Sequence, residues 1–85
     1  MYKIFTANKK TEKILQKYIS IKQDIKNKLD LLKLNPRKYN RAHPLHGRLK
    51  GKWACWFSSN IRAIYSINDK ENIIIIEAIG THKIY

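Results

Sequence analysis

The sequence predicts one small α+β domain, with helices in the first half of the chain and an antiparallel sheet in the second. The length of 85 residues leaves room for a single hydrophobic core, so residues 1–85 are expected to form one domain. Apolar residues recur at helical spacing in the first half, whereas short apolar runs separated by polar turns fill the second. Helices followed by neighbouring strands are typical of the α+β class.

The first half is expected to form a short strand and then two helices. Tyr2, Ile4 and Phe5 indicate the strand. From about residue 8 to residue 34 the apolar positions are spaced by three and four, as on one face of a helix: Ile14, Tyr18, Ile21, Ile25, Leu29 and Leu32.

A helix start inside this stretch divides it into two. Ser20 and Gln23 fit a capping box, in which Ser20 is the N-cap and Gln23 reaches back to its backbone. The sequence therefore predicts helices over about 8–18 and 21–34, packed as a hairpin, and the second ends at Asn35-Pro36.

Three strands are predicted after a polar, basic loop over 36–52. They are Trp53–Ser58, Ile61–Ile67 and Asn72–Ile79, with Ser59-Asn60 as a two-residue turn between the first two. Consecutive strands joined by short turns predict an antiparallel meander.

Charge is the strongest compositional signal. The chain has 18 Lys and Arg against 6 Asp and Glu, a formal net charge of +12. Such a domain attracts polyanions, so nucleic acid, an anionic membrane surface or an acidic protein is the expected class of partner. The start of the chain lacks the apolar stretch of a signal peptide, and the longest apolar run, Ile73–Ile76, is too short to span a bilayer. We therefore expect a cytoplasmic protein with no membrane partner.

Few residues are suited to catalysis. The single cysteine, Cys55, lies in an apolar run and is expected to be a buried thiol. His43 and His46 lie in the basic loop with no carboxylate nearby, so proton transfer is a better interpretation of them than metal binding, and no cofactor is expected.

Two strand positions are candidates for contact with nucleic acid. Arg62 interrupts an apolar strand, so it either faces water or binds an anion such as phosphate. Trp56 lies on the strand face opposite to Trp53 and Phe57, where it either packs in the core or stacks on bases.

Three short motifs in order resemble the RelE/ParE superfamily of bacterial toxins from type II toxin–antitoxin systems, and most closely its YafQ-like branch. They are His43-Pro44-Leu45-His46-Gly47-Arg48-Leu49-Lys50-Gly51, Arg62-Ala63-Ile64-Tyr65 and Ile79-Gly80-Thr81-His82. The resemblance implies two helices packed against a small curved antiparallel sheet. It also implies an endoribonuclease that cuts messenger RNA on the ribosome and is held inactive by a cognate antitoxin.

The resemblance also implies the site. His43 and His82 match histidines of YafQ-like catalysis, and Arg62 matches the arginine that contacts the scissile phosphate. The remaining candidates for RNA binding are Arg41, Arg48, Lys50, Lys52, Trp56 and Tyr85.

The chain departs from the YafQ-like pattern at four places. Trp56 stands in place of a histidine, Asn60 in place of an aspartate and Ala78 in place of an arginine, and the closing aromatic, Tyr85, comes one residue early. The general base is therefore not transferred from the family, and either His43 or His82 can serve.

Ribonucleotide cleavage fits these residues because RNA carries its own nucleophile, the 2′-OH, and needs neither a metal nor a covalent intermediate. A base, an acid and cations for the charged phosphorane suffice. Two alternatives remain: a ParE-like gyrase inhibitor without nuclease activity, and a non-catalytic nucleic-acid-binding module. The expected antitoxin is an acidic segment that folds on binding.

Overall fold

A computed structural model describes residues 1–81, and the candidate site residues His82 and Tyr85 lie outside the described residues. No helix within 1–81 has the length and apolar character needed to cross a membrane. The elements in chain order are β1 (Lys3–Thr6), α1 (Lys9–Ile21), α2 (Asp24–Leu34), β2 (His43–Pro44), β3 (Trp53–Trp56), β4 (Arg62–Asn68) and β5 (Ile73–Gly80).

The five strands form one mixed sheet in the order β1-β5-β4-β3-β2. The strands β2 to β5 pair antiparallel, as the meander predicts. The strand β1 pairs parallel to β5. Parallel strands need a long connection, and here the connection contains both helices and the first strands of the meander. The α+β fold is confirmed, but the sheet is mixed and not wholly antiparallel as expected, because β1 is a parallel edge strand.

The helices pack on one face of the sheet and enclose the core. The buried side chains of this cluster include Leu15, Ile25, Leu29 and Leu32 from the helices. The strands contribute Cys55, Ala63, Tyr65, Ile74 and Ile76, and Phe57 follows directly after β3. The Tyr65 hydroxyl donates a hydrogen bond of 2.6 Å to the carbonyl of Pro36, which satisfies this polar group in the core. Burial raises the pKa of the Cys55 thiol to about 12, so it is the inert buried thiol that the sequence indicates.

The boundary between the helices differs from the prediction. Ser20 is not an N-cap: it lies inside α1, and its hydroxyl donates to the carbonyl of Lys17. The helix α1 continues to Ile21, whose side chain is 63% exposed, because the Lys22 N–H still bonds to the carbonyl of Tyr18. Gln23 precedes α2 without a side-chain capping bond. The capping box is therefore wrong, and the helices are joined by two residues at 22–23.

The strand ends also differ slightly. The strand β3 ends at Trp56, and the Phe57 N–H donates to the carbonyl of Ile61, so three residues, 58–60, form the turn instead of the predicted two. His43 and Pro44, expected in a loop, form the short edge strand β2. Its pairing with β3 gives the sheet a fifth strand and fixes the position of His43.

Candidate functional site

Three of the candidate residues lie together on the sheet face that points away from the helices, which we call the outer face. The register places His43 opposite Ala54 and Trp56 opposite Arg62. Residues directly opposite each other in a sheet project to the same side, and positions two apart on one strand share a face. His43, Trp56 and Arg62 are therefore neighbours on one surface, although the first two are 13 positions apart in the chain.

Arg62 and Trp56 form one unit. The guanidinium carbon of Arg62 lies 3.9 Å from the centre of the Trp56 ring, a cation–π contact, and both side chains are half-buried. Such a contact stabilises the pair by about 0.5–2 kcal/mol and restricts the guanidinium. The residue opposite Arg62 on β5 is Gly80, which has no side chain. Arg62 thus sits in a strand with its charge held over an aromatic ring.

His43 is exposed, and its tautomer is determined by a backbone group. Its Nδ1 lies 3.0 Å from the carbonyl oxygen of Arg41. Because a carbonyl oxygen only accepts, Nδ1 carries the proton in this bond. The lone pair of the neutral imidazole then resides on Nε2, which is the atom left to accept a proton from a substrate.

The loop before His43 holds a conformation that sequence reasoning missed. Asn40 and Arg41 have φ values of 60° and 57°, in the left-handed region. The Asn40 side-chain amide donates to the backbone carbonyl of Lys28 at 2.8 Å, and the Asn40 backbone carbonyl accepts the backbone N–H of Trp56 at 2.8 Å. These bonds fasten the loop to α2 and β3 and so position the Arg41 carbonyl. The available signal was Asn40 itself, because asparagine tolerates this region better than most residues.

The basic loop is the turn of the β2–β3 hairpin, closed by the Leu45 N–H to the Lys52 carbonyl. Arg48 and Lys50 are exposed in it, as expected for cations that contact RNA. Gly51, the last residue of the loop motif, has φ of +94°, a conformation that other residues adopt only with strain.

Lys52 differs from the other cations of the loop. Its Nζ lies 2.6 Å from a carboxylate oxygen of Glu77 on β5, and both side chains are about one third exposed. Its charge is therefore paired across the outer face. The role of Lys52 in RNA binding stays a prediction, and the structure gives it a structural partner that the sequence did not indicate.

The departures from the YafQ-like pattern fall around this surface. Ala78 lies on the outer face opposite Ile64, and Asn60 accepts a hydrogen bond from the Ser58 hydroxyl in the β3–β4 turn. Among the described residues no group of three or more His, Cys, Asp and Glu side chains is placed to hold a metal ion.

Comparison with known proteins finds similarity in the fold. No protein-family model and no curated protein matches the sequence. Among solved structures, YafQ from E. coli strain BL21(DE3) is 23% identical with a TM-score of 0.72, and the alignment covers 98% of this chain and 96% of that one. The YoeB–YefM toxin–antitoxin complex from Staphylococcus aureus gives 15% identity and a TM-score of 0.73 over 96% of this chain and 98% of that one. The conserved hypothetical protein HP0892 from Helicobacter pylori gives 27% identity and a TM-score of 0.62 over 98% and 97%.

These alignments span nearly the whole of each chain, so they concern the complete arrangement of helices and sheet and not one motif. At this level of identity they establish the fold. The chain therefore has the fold of the YafQ and YoeB toxins, which confirms the fold that the motif resemblance implies.

Proposed function

We propose that this protein is the toxin of a type II toxin–antitoxin system and acts as a metal-independent endoribonuclease on ribosome-bound messenger RNA. The observation that carries the proposal is the grouping of a histidine with one defined tautomer, an arginine and an aromatic side chain on one surface: His43, Arg62 and Trp56. A general base, a cation and a stacking platform are what cleavage of single-stranded RNA requires.

The proposed reaction is transfer within the RNA. The base removes the proton of the ribose 2′-OH, and the 2′ oxygen attacks the adjacent phosphorus. The bond from phosphorus to the 5′ oxygen of the next nucleotide breaks, and the acid protonates that oxygen. The products are a 2′,3′-cyclic phosphate and a free 5′-OH.

The residues divide these roles according to their chemistry. Nε2 of His43 is an acceptor in the neutral state and exposed to a substrate. His82, which follows Gly80 by two residues in the chain, is proposed as the second proton-transfer group. Arg62 stabilises the charge that develops on the phosphorane. Arg41, Arg48 and Lys50 hold the RNA backbone through its phosphates.

The partner proposed to inhibit this activity is an acidic antitoxin segment that folds on binding. The net charge of +12 favours such a partner, and the YoeB–YefM structure is a toxin–antitoxin complex. The ribosome and messenger RNA are the proposed targets, in accord with the resemblance.

The decisive experiment uses a message with a single 2′-deoxy substitution at the mapped cut site, translated on purified ribosomes. We expect no cutting at the deoxy position and products with 2′,3′-cyclic or 3′-phosphate ends. A parallel reaction with an RNA oligonucleotide, excess protein and chelator should continue to cut. Cutting at the deoxy position would refute the mechanism. Loss of DNA synthesis before messenger decay in cells that express the chain would favour a gyrase inhibitor instead.

A further inference from the structure

A second feature beside the outer face is a groove of about 500 Å³ where β3, α2 and two loops meet. Its volume falls in the range of small-ligand sites. The lining side chains are Asp24, Lys28, Arg41, Trp56, Ser58 and Ser59. We propose that this groove binds one purine nucleotide of the RNA substrate, next to the bond that is cut. The identity of the ligand as RNA rests on the proposed function.

The aromatic wall of the groove is Trp56. The guanidinium carbon of Arg62 lies 3.9 Å from the centre of the indole ring, and Arg62 is not among the residues that line the groove. The backbone N–H of Trp56 donates to the backbone carbonyl of Asn40, which fixes the backbone at this position. A fixed indole that already carries a cation on one side is suited to stacking on a base. A purine offers the larger stacking area, so the groove should prefer it.

The cationic wall is built from α2 and the loop before β2. The Lys28 backbone carbonyl accepts a hydrogen bond from the Asn40 side-chain amide, and Arg41 follows Asn40 directly. This bond keeps the backbone of Arg41 close to that of Lys28, and both residues line the groove. The Lys28 ammonium is only 3.8 Å from Asp24 and its side chain is 30% exposed. Two cations and one carboxylate leave a net positive charge, which favours a phosphate.

The remaining lining groups can read the edge of the base. The hydroxyl groups of Ser58 and Ser59 lie in the β3–β4 turn, and the Asp24 carboxylate is an acceptor that is 72% exposed. The Ser58 hydroxyl donates its proton to Asn60 and is left as an acceptor, the Ser59 hydroxyl can donate and accept, and the carboxylate only accepts. The groove therefore combines a stacking surface, phosphate-binding cations and base-edge partners, the three parts of a nucleotide site.

The two tryptophans of the chain make a direct test, because each can be observed alone. The W53F variant keeps Trp56 as its fluorophore and the W56F variant keeps Trp53. We expect GMP and AMP to quench the fluorescence of W53F saturably, with binding at least a few-fold tighter than that of CMP and UMP. The same nucleotides should leave W56F unquenched, and ribose 5-phosphate should quench neither. Equal quenching of both variants, or none in W53F, would overturn the proposal. Equal affinity for all four nucleotides would overturn the purine preference.

A matched pair of lysine variants tests the cationic wall. Lys28 lines the groove, whereas Lys26 lies on the same helix and faces other grooves. We expect K28A to weaken GMP binding about 3-fold or more and K26A to leave it unchanged, with both variants checked for folding by circular dichroism. If K28A and K26A weaken GMP binding equally, the binding reflects only the overall positive charge, which would contradict the placement of Lys28 in the nucleotide site.

The binding measurement tests the nucleotide site, and the cleavage assay tests the proposed function, so either proposal can be refuted without the other. Binding of free nucleotides needs no catalysis, so saturable quenching without any RNA cleavage would refute the proposed function and leave the nucleotide site standing. Normal cleavage without quenching would refute the site alone.

Discussion

At the scale of single residues, the proposed chemistry depends on which nitrogen of His43 can accept a proton. The bond from Nδ1 to the Arg41 carbonyl leaves Nε2 as the acceptor, and the left-handed conformation of Asn40 and Arg41 places that carbonyl. A backbone group thus selects the tautomer, and the side chain of Arg41 takes no part in this bond.

Replacing the proposed proton-transfer residues should abolish most cleavage. We expect His43→Ala and His82→Ala each to slow cleavage by roughly 10²-fold or more, the usual contribution of a positioned acid or base. The measurement is the single-turnover rate on ribosome-bound message. His46→Ala is the matched control, because His46 lies in the same loop and is exposed but does not match a functional family position. A similar loss in the control would show that the loop, and not the imidazole of His43, is what matters.

A second residue-scale feature ties three distant segments together. Asp69, in the β4–β5 turn, accepts the hydroxyl of Tyr2 and both terminal nitrogens of Arg37, the shorter at 2.7 Å. The Arg37 and Tyr2 hydrogen bonds lower the pKa of Asp69 from 3.8 to about 2.

Because the pKa of Asp69 is lower in the folded state, its contribution to stability is present above pH 4 and is lost as the pH falls toward 2. We expect the Tm of the native protein to fall over this window more steeply than that of Asp69→Asn, which has no carboxyl to titrate. Asp30→Asn, which removes an exposed carboxylate on α2, should retain the steep fall. Parallel Tm curves for Asp69→Asn and the native protein would contradict this account.

At the scale of elements, α1 and α2 begin differently. Asn8 is the N-cap of α1, and its side-chain oxygen accepts the N–H of Thr11 at 2.8 Å. Gln23, at the corresponding place before α2, makes no side-chain capping bond and has helical backbone angles. The start of α1 is therefore stabilised locally, whereas α2 depends on burial of Ile25, Leu29 and Leu32.

Removal of the cap should cost measurable stability. We expect Asn8→Ala to lower the free energy of unfolding by about 1 kcal/mol, because an unsatisfied N–H remains at the first turn. Gln23→Ala should change it by a few tenths of a kcal/mol or less. Urea unfolding followed by circular dichroism measures both. If the two substitutions lower the free energy of unfolding equally, the difference between the two helix starts has no energetic consequence.

At the scale of the whole molecule, the charge of +12 is spread over a domain with a radius of gyration of 11.7 Å. Two of the six acidic residues, Asp69 and Glu77, are held in close ion pairs with Arg37 and Lys52. The protein therefore presents a strongly positive field to any polyanion, whether RNA or an acidic protein segment.

Association with an acidic antitoxin segment should be fast and sensitive to salt. We expect the association rate constant to fall steeply as sodium chloride is raised, since the Debye length shortens from about 10 Å at 0.1 M to about 3 Å at 1 M. The dissociation rate constant should change less, because it depends on the contacts formed after docking. Stopped-flow measurement over this range tests both. An association rate constant that does not vary with salt would argue against electrostatic steering.

The sequence alone determined the class of fold, the strands of the meander and the basic loop, because each depends on local periodicity or composition. Alternating and helical patterns are properties of neighbouring residues. The motif resemblance indicated His43 and Arg62 as candidate site residues for the same reason, since each lies in a short contiguous run. The capping box is wrong because the helical hydrogen bonding of α1 continues as far as the bond from the Lys22 N–H to the Tyr18 carbonyl, which leaves Ser20 inside the helix.

Only the tertiary structure decided which of these residues meet. The pairing of β2 with β3 and of β3 with β4 brings His43, Trp56 and Arg62 to one face, and strand register is a relation between distant segments. Three further contacts also join separate parts of the chain. They are the parallel pairing of β1 with β5, the ion pair of Lys52 with Glu77 and the hydrogen bond from Asn40 to α2. No local pattern encodes such contacts, because they arise only when packing of the core brings those parts together.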